Sequence, residues 1–130
     1  MITPLYASLL AIWLIILSVR VIGLRGNPAF SALASGKENA ETLERAIRGQ
    51  GNLIEYAPIF LILLFLAEAT GTSTTAIHAY GATFLAGRLA HGICFSFMKR
   101  SMPLRVGGMV LTFASLLGLS ILLLLRYFGI

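Results

Sequence analysis

Four apolar stretches, residues 5–19, 57–67, 76–94 and 106–125, dominate a chain of 130 residues, and they leave it few folds. A helix that crosses a bilayer needs about 20 mainly apolar residues, and each stretch, extended by a polar turn where needed, supplies one such core. The composition agrees: 58% of residues are hydrophobic, 12% are charged and the mean hydropathy is +0.89, against about 25% charged residues in an ordinary soluble domain. The expected fold is an all-α membrane protein, a four-transmembrane-helix bundle forming a single domain over residues 1–130. The opening stretch lacks the basic residues that precede the apolar run of a secretory signal peptide. Its first positive charge, Arg20, follows the run, so a retained first helix is expected.

Breakers and caps place the helices. The first is expected from Thr3 to about Leu24, followed by a connector, "RGNPAFSALASGKEN", with breakers at Gly26, Pro28, Ser31, Ser35 and Gly36. Asn39 can cap the second helix, with Glu41 in a first turn that favours an anion. That helix should end near Thr70, with Gly71 beyond its C-terminus. "TGTSTT" allows only a tight turn, so helices two and three should be antiparallel neighbours. The third is expected from near Ser73 to around Lys99. Pro103 suits the first turn of the fourth, which runs to about Tyr127.

Charge sets the expected orientation. Arg20, Arg25, Lys37, Arg45 and Arg48 flank or occupy the first connector, and Lys99, Arg100 and Arg105 mark the third. The second connector has no Lys or Arg. By the positive-inside rule both termini lie outside the cytoplasm. The net charge of +5 sits beside apolar spans, which points to anionic lipid headgroups rather than nucleic acid. Cys94 is the single cysteine, so no internal disulfide can form. No Cys/His spacing fits zinc, and no metal is expected. Cys94 reads as a small packing residue.

Polar residues interrupt this apolar design at two places. Arg48, Asn52 and Glu55 are spaced four and three apart, within an arc of about 60° on one helix face, and Arg45 extends the stripe outward. On the third helix Arg88 and His91 are three apart, with Phe95 on the same side. Arg88 lies about 16 Å from Lys99 along the helix, close to mid-membrane, where an arginine costs about 2.5–3.5 kcal/mol on the insertion scale. Two readings stay open from the residues alone. Glu55 could neutralise Arg88 or Arg48, with Asn52 bonding between helices, or the stripe could be a functional site. His91 alone fits a packed histidine, Tyr56 an interfacial anchor and Arg105 a cytoplasmic-side charge.

"ERAIRGQGNLIEYAP" resembles the signature of the MAPEG family, the membrane-associated proteins of eicosanoid and glutathione metabolism. That signature, E-R-x-x-R-x-x-x-N-x-x-E-x-x-P, is matched by Glu44, Arg45, Arg48, Asn52, Glu55 and Pro58. "GRLAH" and "PLR" are similar to the family's third-helix arginine motif and to the arginine beginning its fourth helix. The resemblance implies a homotrimer that binds glutathione between subunits near the cytoplasmic side. Arg48, Asn52, Glu55, Tyr56 and Arg88 would hold the tripeptide, with His91 and Arg20 as further contacts and Arg105 stabilising the thiolate. The partners it implies are glutathione as co-substrate, a lipophilic electrophile or hydroperoxide, membrane lipid and further copies of the chain. Phe95, Leu53 and Val106 depart from the residues some relatives carry. A bacterial, generic membrane glutathione transferase or peroxidase, serving detoxification, is therefore expected rather than an eicosanoid synthase. The alternative is a non-catalytic glutathione- or lipid-binding protein.

Overall fold

A computed structural model describes residues 1–130 as four long α-helices and one short 3-10 helix. Helix α1 spans Thr3–Leu24, α2 Ala40–Ala69, α3 Thr74–Ser96 and α4 Met102–Tyr127, with the 3-10 helix, Pro28–Leu33, between α1 and α2. The expected caps form: Asn39 Oδ1 accepts from the Glu41 amide at 3.0 Å, and Gly71 takes φ +82° after α2. Pro103 sits in the first turn of α4. The structure adds one local element and corrects one local expectation. The first connector contains the 3-10 helix, begun by Asn27 accepting from the Ala29 amide at 2.9 Å. Helix α3 stops at Ser96, not near Lys99. Its last carbonyls explain the stop: Arg20 Nε donates to Ser96 O at 2.9 Å, and Arg45 Nη2 to Cys94 O at 2.8 Å. Two cations from other helices thus satisfy the carbonyl end of α3, where the helix dipole favours positive charge.

Helix α3 packs against each of the other three, whereas α1 and α4 do not pack on each other. The core joins α1, α2, α3 and α4 through Leu17, Phe60, Leu64, Phe84 and Leu119, all fully buried. Phe60 and Phe84 stack at 3.8 Å. The α3–α4 crossing is set by two glycines: a Cβ on Gly87 would lie 2.8 Å from Gly108 O, and one on Gly108 would lie 2.8 Å from Gly87 O. Small residues at such a contact let helix backbones approach closely, as membrane bundles require.

Three helices, α1, α2 and α4, are long and apolar enough to cross a membrane. The 23 residues of α3 suffice in length, but its apolarity falls short because Arg88 and His91, both buried, lie within it. Neighbouring helices cover these polar groups. The outer faces carry Ile59, Ile62 and Phe65 on α2, and Val110, Phe113, Leu117 and Ile121 on α4, all exposed. Lipid accepts such faces; water would not. The two ends of the bundle differ. At one, Glu68 accepts from the backbone amides of Ile2 and Thr3 at the start of α1, and Arg126 donates to Thr70. At the other gather the basic residues and the polar stripe.

Candidate functional site

One face of α2 supplies the site's wall. Arg45, Arg48, Asn52 and Glu55 recur every three or four residues, so a single helical stripe carries them. Across from it stand His91, Cys94 and Phe95 of α3, and Arg105 and Met109 of α4. These groups line one groove of about 1040 Å³, at the upper end of the roughly 300–1,000 Å³ usual for ligand sites. The structure thus brings together five residues expected at the site: Arg48, Asn52, Glu55, His91 and Arg105.

Two expected residues stand behind this groove. Arg88 is 2% exposed and donates from Nη1 to Asn52 Oδ1 at 2.5 Å. Its Nη2 lies 3.5 Å from Met109 Sδ, and its Cζ lies 5.4 Å from the Tyr56 ring centroid. Arg88 Nε, also buried, has no partner. The cation therefore links α2, α3 and α4 from inside the bundle and fixes the amide that faces the groove. No carboxylate neutralises it. The reading in which Glu55 pairs with Arg88 or Arg48 is corrected here: Arg48 bonds Glu44 at 2.9 Å, one turn away on an exposed face, and Glu55 forms no ion pair.

Arg20 takes a third position. It is 2% exposed and donates from Nη1 to Leu33 O at 2.5 Å, besides its bond to Ser96 O. It borders a second cavity, of about 530 Å³, beneath the first connector. Arg20 ties α1, the 3-10 helix and α3 together, separate from the groove.

Electrostatically the groove is incomplete. Glu55 and the Arg105 guanidinium, both exposed, make no hydrogen bond or ion pair with the protein. The Arg105 contact is the Phe95 ring, 5.6 Å from Cζ to centroid. His91, 5% exposed, stacks on the same ring at 4.5 Å. An unpaired carboxylate and an unpaired guanidinium on one groove, with Arg48 and Arg100 held only by exposed surface pairs, suit a small zwitterion with an amino group and carboxylates. Sequence reasoning gave no role to Arg100, Met109 or Cys94 in this wall. Arg100 and Met109 lie outside the stripe's periodicity, and Cys94 faces the groove only because α3 ends beside the start of α4, with its Sγ 3.3 Å from Ser101 O.

Comparison with known proteins agrees with this arrangement. Residues 3–125 match the model of the MAPEG family. The chain is 37% identical over 117 residues to the "Inner membrane protein YecN" of Escherichia coli K12, covering 90% of this chain and 86% of that protein. The YecN protein of E. coli O6:H1 matches to the same extent. No solved structure matches.

Proposed function

The chain belongs to the MAPEG family, and from that premise we propose that it is a glutathione-binding integral membrane enzyme. It transfers glutathione to lipophilic electrophiles or reduces organic hydroperoxides. The observation that carries this reading is an unengaged carboxylate, Glu55, and an unengaged guanidinium, Arg105, on one groove, beside Arg48 and Arg100, whose ion pairs are with exposed Glu44 and Glu41. Glutathione brings the complement: an α-amino group for Glu55 and two carboxylates for arginines, through charge-assisted hydrogen bonds. Asn52, held by Arg88, presents its amide to the peptide backbone.

The reaction needs a thiolate. A thiol with a pKa near 8.5 is mostly protonated at neutral pH, and a fixed cation at a helix N-terminus lowers that value. Arg105, in the first turn of α4, supplies both influences. In transfer, the sulfur lone pair bonds to the electrophilic carbon and the leaving group departs with its electrons. In peroxide reduction, sulfur attacks the distal oxygen and the O–O bond breaks to release an alcohol. A second glutathione then converts the sulfenic acid to the disulfide and water. Ile47, Met102 and Met109 give the groove an apolar part of its lining, on which a lipophilic substrate is to rest. Arg48, Glu55 and Arg105 are exposed in one protomer, and a homotrimer places this face against a neighbouring copy. The relatives' name supports a bacterial inner-membrane location.

The test joins binding and chemistry. Purified protein should bind glutathione, turn over an aryl halide or an organic hydroperoxide, and show thiolate absorbance with a titration midpoint below that of free glutathione. Arg105→Ala should raise that midpoint and reduce turnover more than affinity, the pattern of an interaction made with the reacting species. A wild-type midpoint equal to that of free glutathione would show that the protein binds without activating.

A further inference from the structure

Arg105 is the one arginine of the groove with neither a hydrogen bond nor an ion pair, since Arg48 pairs with Glu44 and Arg100 with Glu41. Arg45, by contrast, is pinned to the end of α3 through Cys94 O. Both guanidiniums nonetheless converge on one ring: Arg45 Cζ lies 5.2 Å and Arg105 Cζ 5.6 Å from the Phe95 centroid. The ring itself is fixed. His91 stacks on it at 4.5 Å with an interplanar angle of 18°. Glycine at position 49 brings α2 so close that a Cβ there would lie 3.1 Å from Phe95 Cβ. Phe95 also borders both the groove and the cavity beneath the first connector, so it stands as the partition between them.

We propose that Phe95 is a positioning residue for Arg105: its π face holds the guanidinium over the groove, where the thiol of the bound tripeptide is to be activated. The inference rests on the glutathione reading above. The physical case is direct. An arginine side chain has many rotamers, and solvent would otherwise draw an exposed guanidinium away from the groove. A cation within about 6 Å of an aromatic centroid is attracted by the ring quadrupole, more strongly as water is excluded. Arg45 shares the ring without displacing Arg105, because its charge is already engaged by a carbonyl at the helix end. Phenylalanine offers only its face here, with no hydroxyl to bond the guanidinium or the substrate.

The test separates ring electrostatics from ring volume. Phe95 is replaced by Leu, by Trp, and by phenylalanines carrying one, two and three ring fluorines, which keep the shape while weakening the quadrupole. Phe95→Leu should raise the glutathione thiolate midpoint by about half to one pH unit and lower kcat about three- to tenfold with little change in KM, as expected from losing one cation–π contact. The fluorinated series should move the midpoint stepwise, and Phe95→Trp should retain it. In an Arg105→Ala background Phe95→Leu should change nothing further. A flat fluorine series, or a Phe95→Leu effect that persists without Arg105, would overturn the proposal. An independent arm needs no glutathione: phenylglyoxal labelling of Arg105, read by mass spectrometry against Arg126, should accelerate in Phe95→Leu, and an unchanged rate would also overturn it. A wild type with an unshifted midpoint but accelerated labelling in the variant would uphold the clamp and sink the thiolate-activation reading instead.

Discussion

Asn52 is worth following first, because its side chain faces two ways. Its oxygen accepts from the buried Arg88 at 2.5 Å, and the residue also borders the groove. Asn52→Leu removes the strongest partner of a buried cation, and a hydrogen bond to a charged group is worth about 1.5–3 kcal/mol. A loss of that size is expected in denaturant unfolding in mild detergent. Full stability in this variant would mean that Arg88 is satisfied elsewhere. Arg48 and Glu55 should behave in the opposite way. Both are exposed, and the Arg48–Glu44 pair bridges adjacent turns at the surface, where ion pairs contribute little. Arg48→Ala and Glu55→Gln should leave the unfolding midpoint unchanged and weaken glutathione binding; variants that bind like wild type would make the exposed stripe a surface feature without a ligand.

Among the elements, α3 organises the bundle, and its contact with α4 depends on adjacent glycines with different duties. Gly108 faces Gly87 O, with His91 N also 3.0 Å from a Cβ placed there, whereas a Cβ on Gly107 meets nothing within 4 Å. Gly108→Ala should therefore force the helices apart at a cost of about 1–3 kcal/mol. Gly107→Ala should stabilise by up to about 1 kcal/mol through helix propensity alone. Thermal unfolding of the two variants side by side reads this contrast. Equal effects would remove the close crossing as the element that fixes Arg88 and His91.

At the scale of the whole molecule, the two ends of the bundle are chemically unlike. Arg25, Lys37, Arg45, Lys99, Arg100 and Arg105 gather at the end that carries the groove, whereas the other end holds Glu68 and Arg126. By the positive-inside rule the groove is expected toward the cytoplasm and both termini outside. A reporter that works only in the cytoplasm should stay silent when fused at Ile130; activity there would invert the topology and the side from which glutathione enters.

Much of this was legible without coordinates, because its causes are local. Apolar length dictates helices that cross a bilayer, Asn39 and Gly71 mark the ends of α2, and the stripe from Arg45 to Glu55 follows from the 3.6-residue repeat. The family motif named the same residues. The pairing of those polar groups had to await the tertiary structure. Arg88 chose an amide, leaving Glu55 free; Arg20 chose carbonyls of α3 and the 3-10 helix; and Arg45 helped end α3 at Ser96. Phe95 met Arg105 only because α3 and α4 bring them together. Spacing along one helix determines which side chains share a face. Which of them meet a partner from another helix depends on where backbones cross, and that crossing is set by close contacts such as Gly87 with Gly108, to which no local periodicity refers.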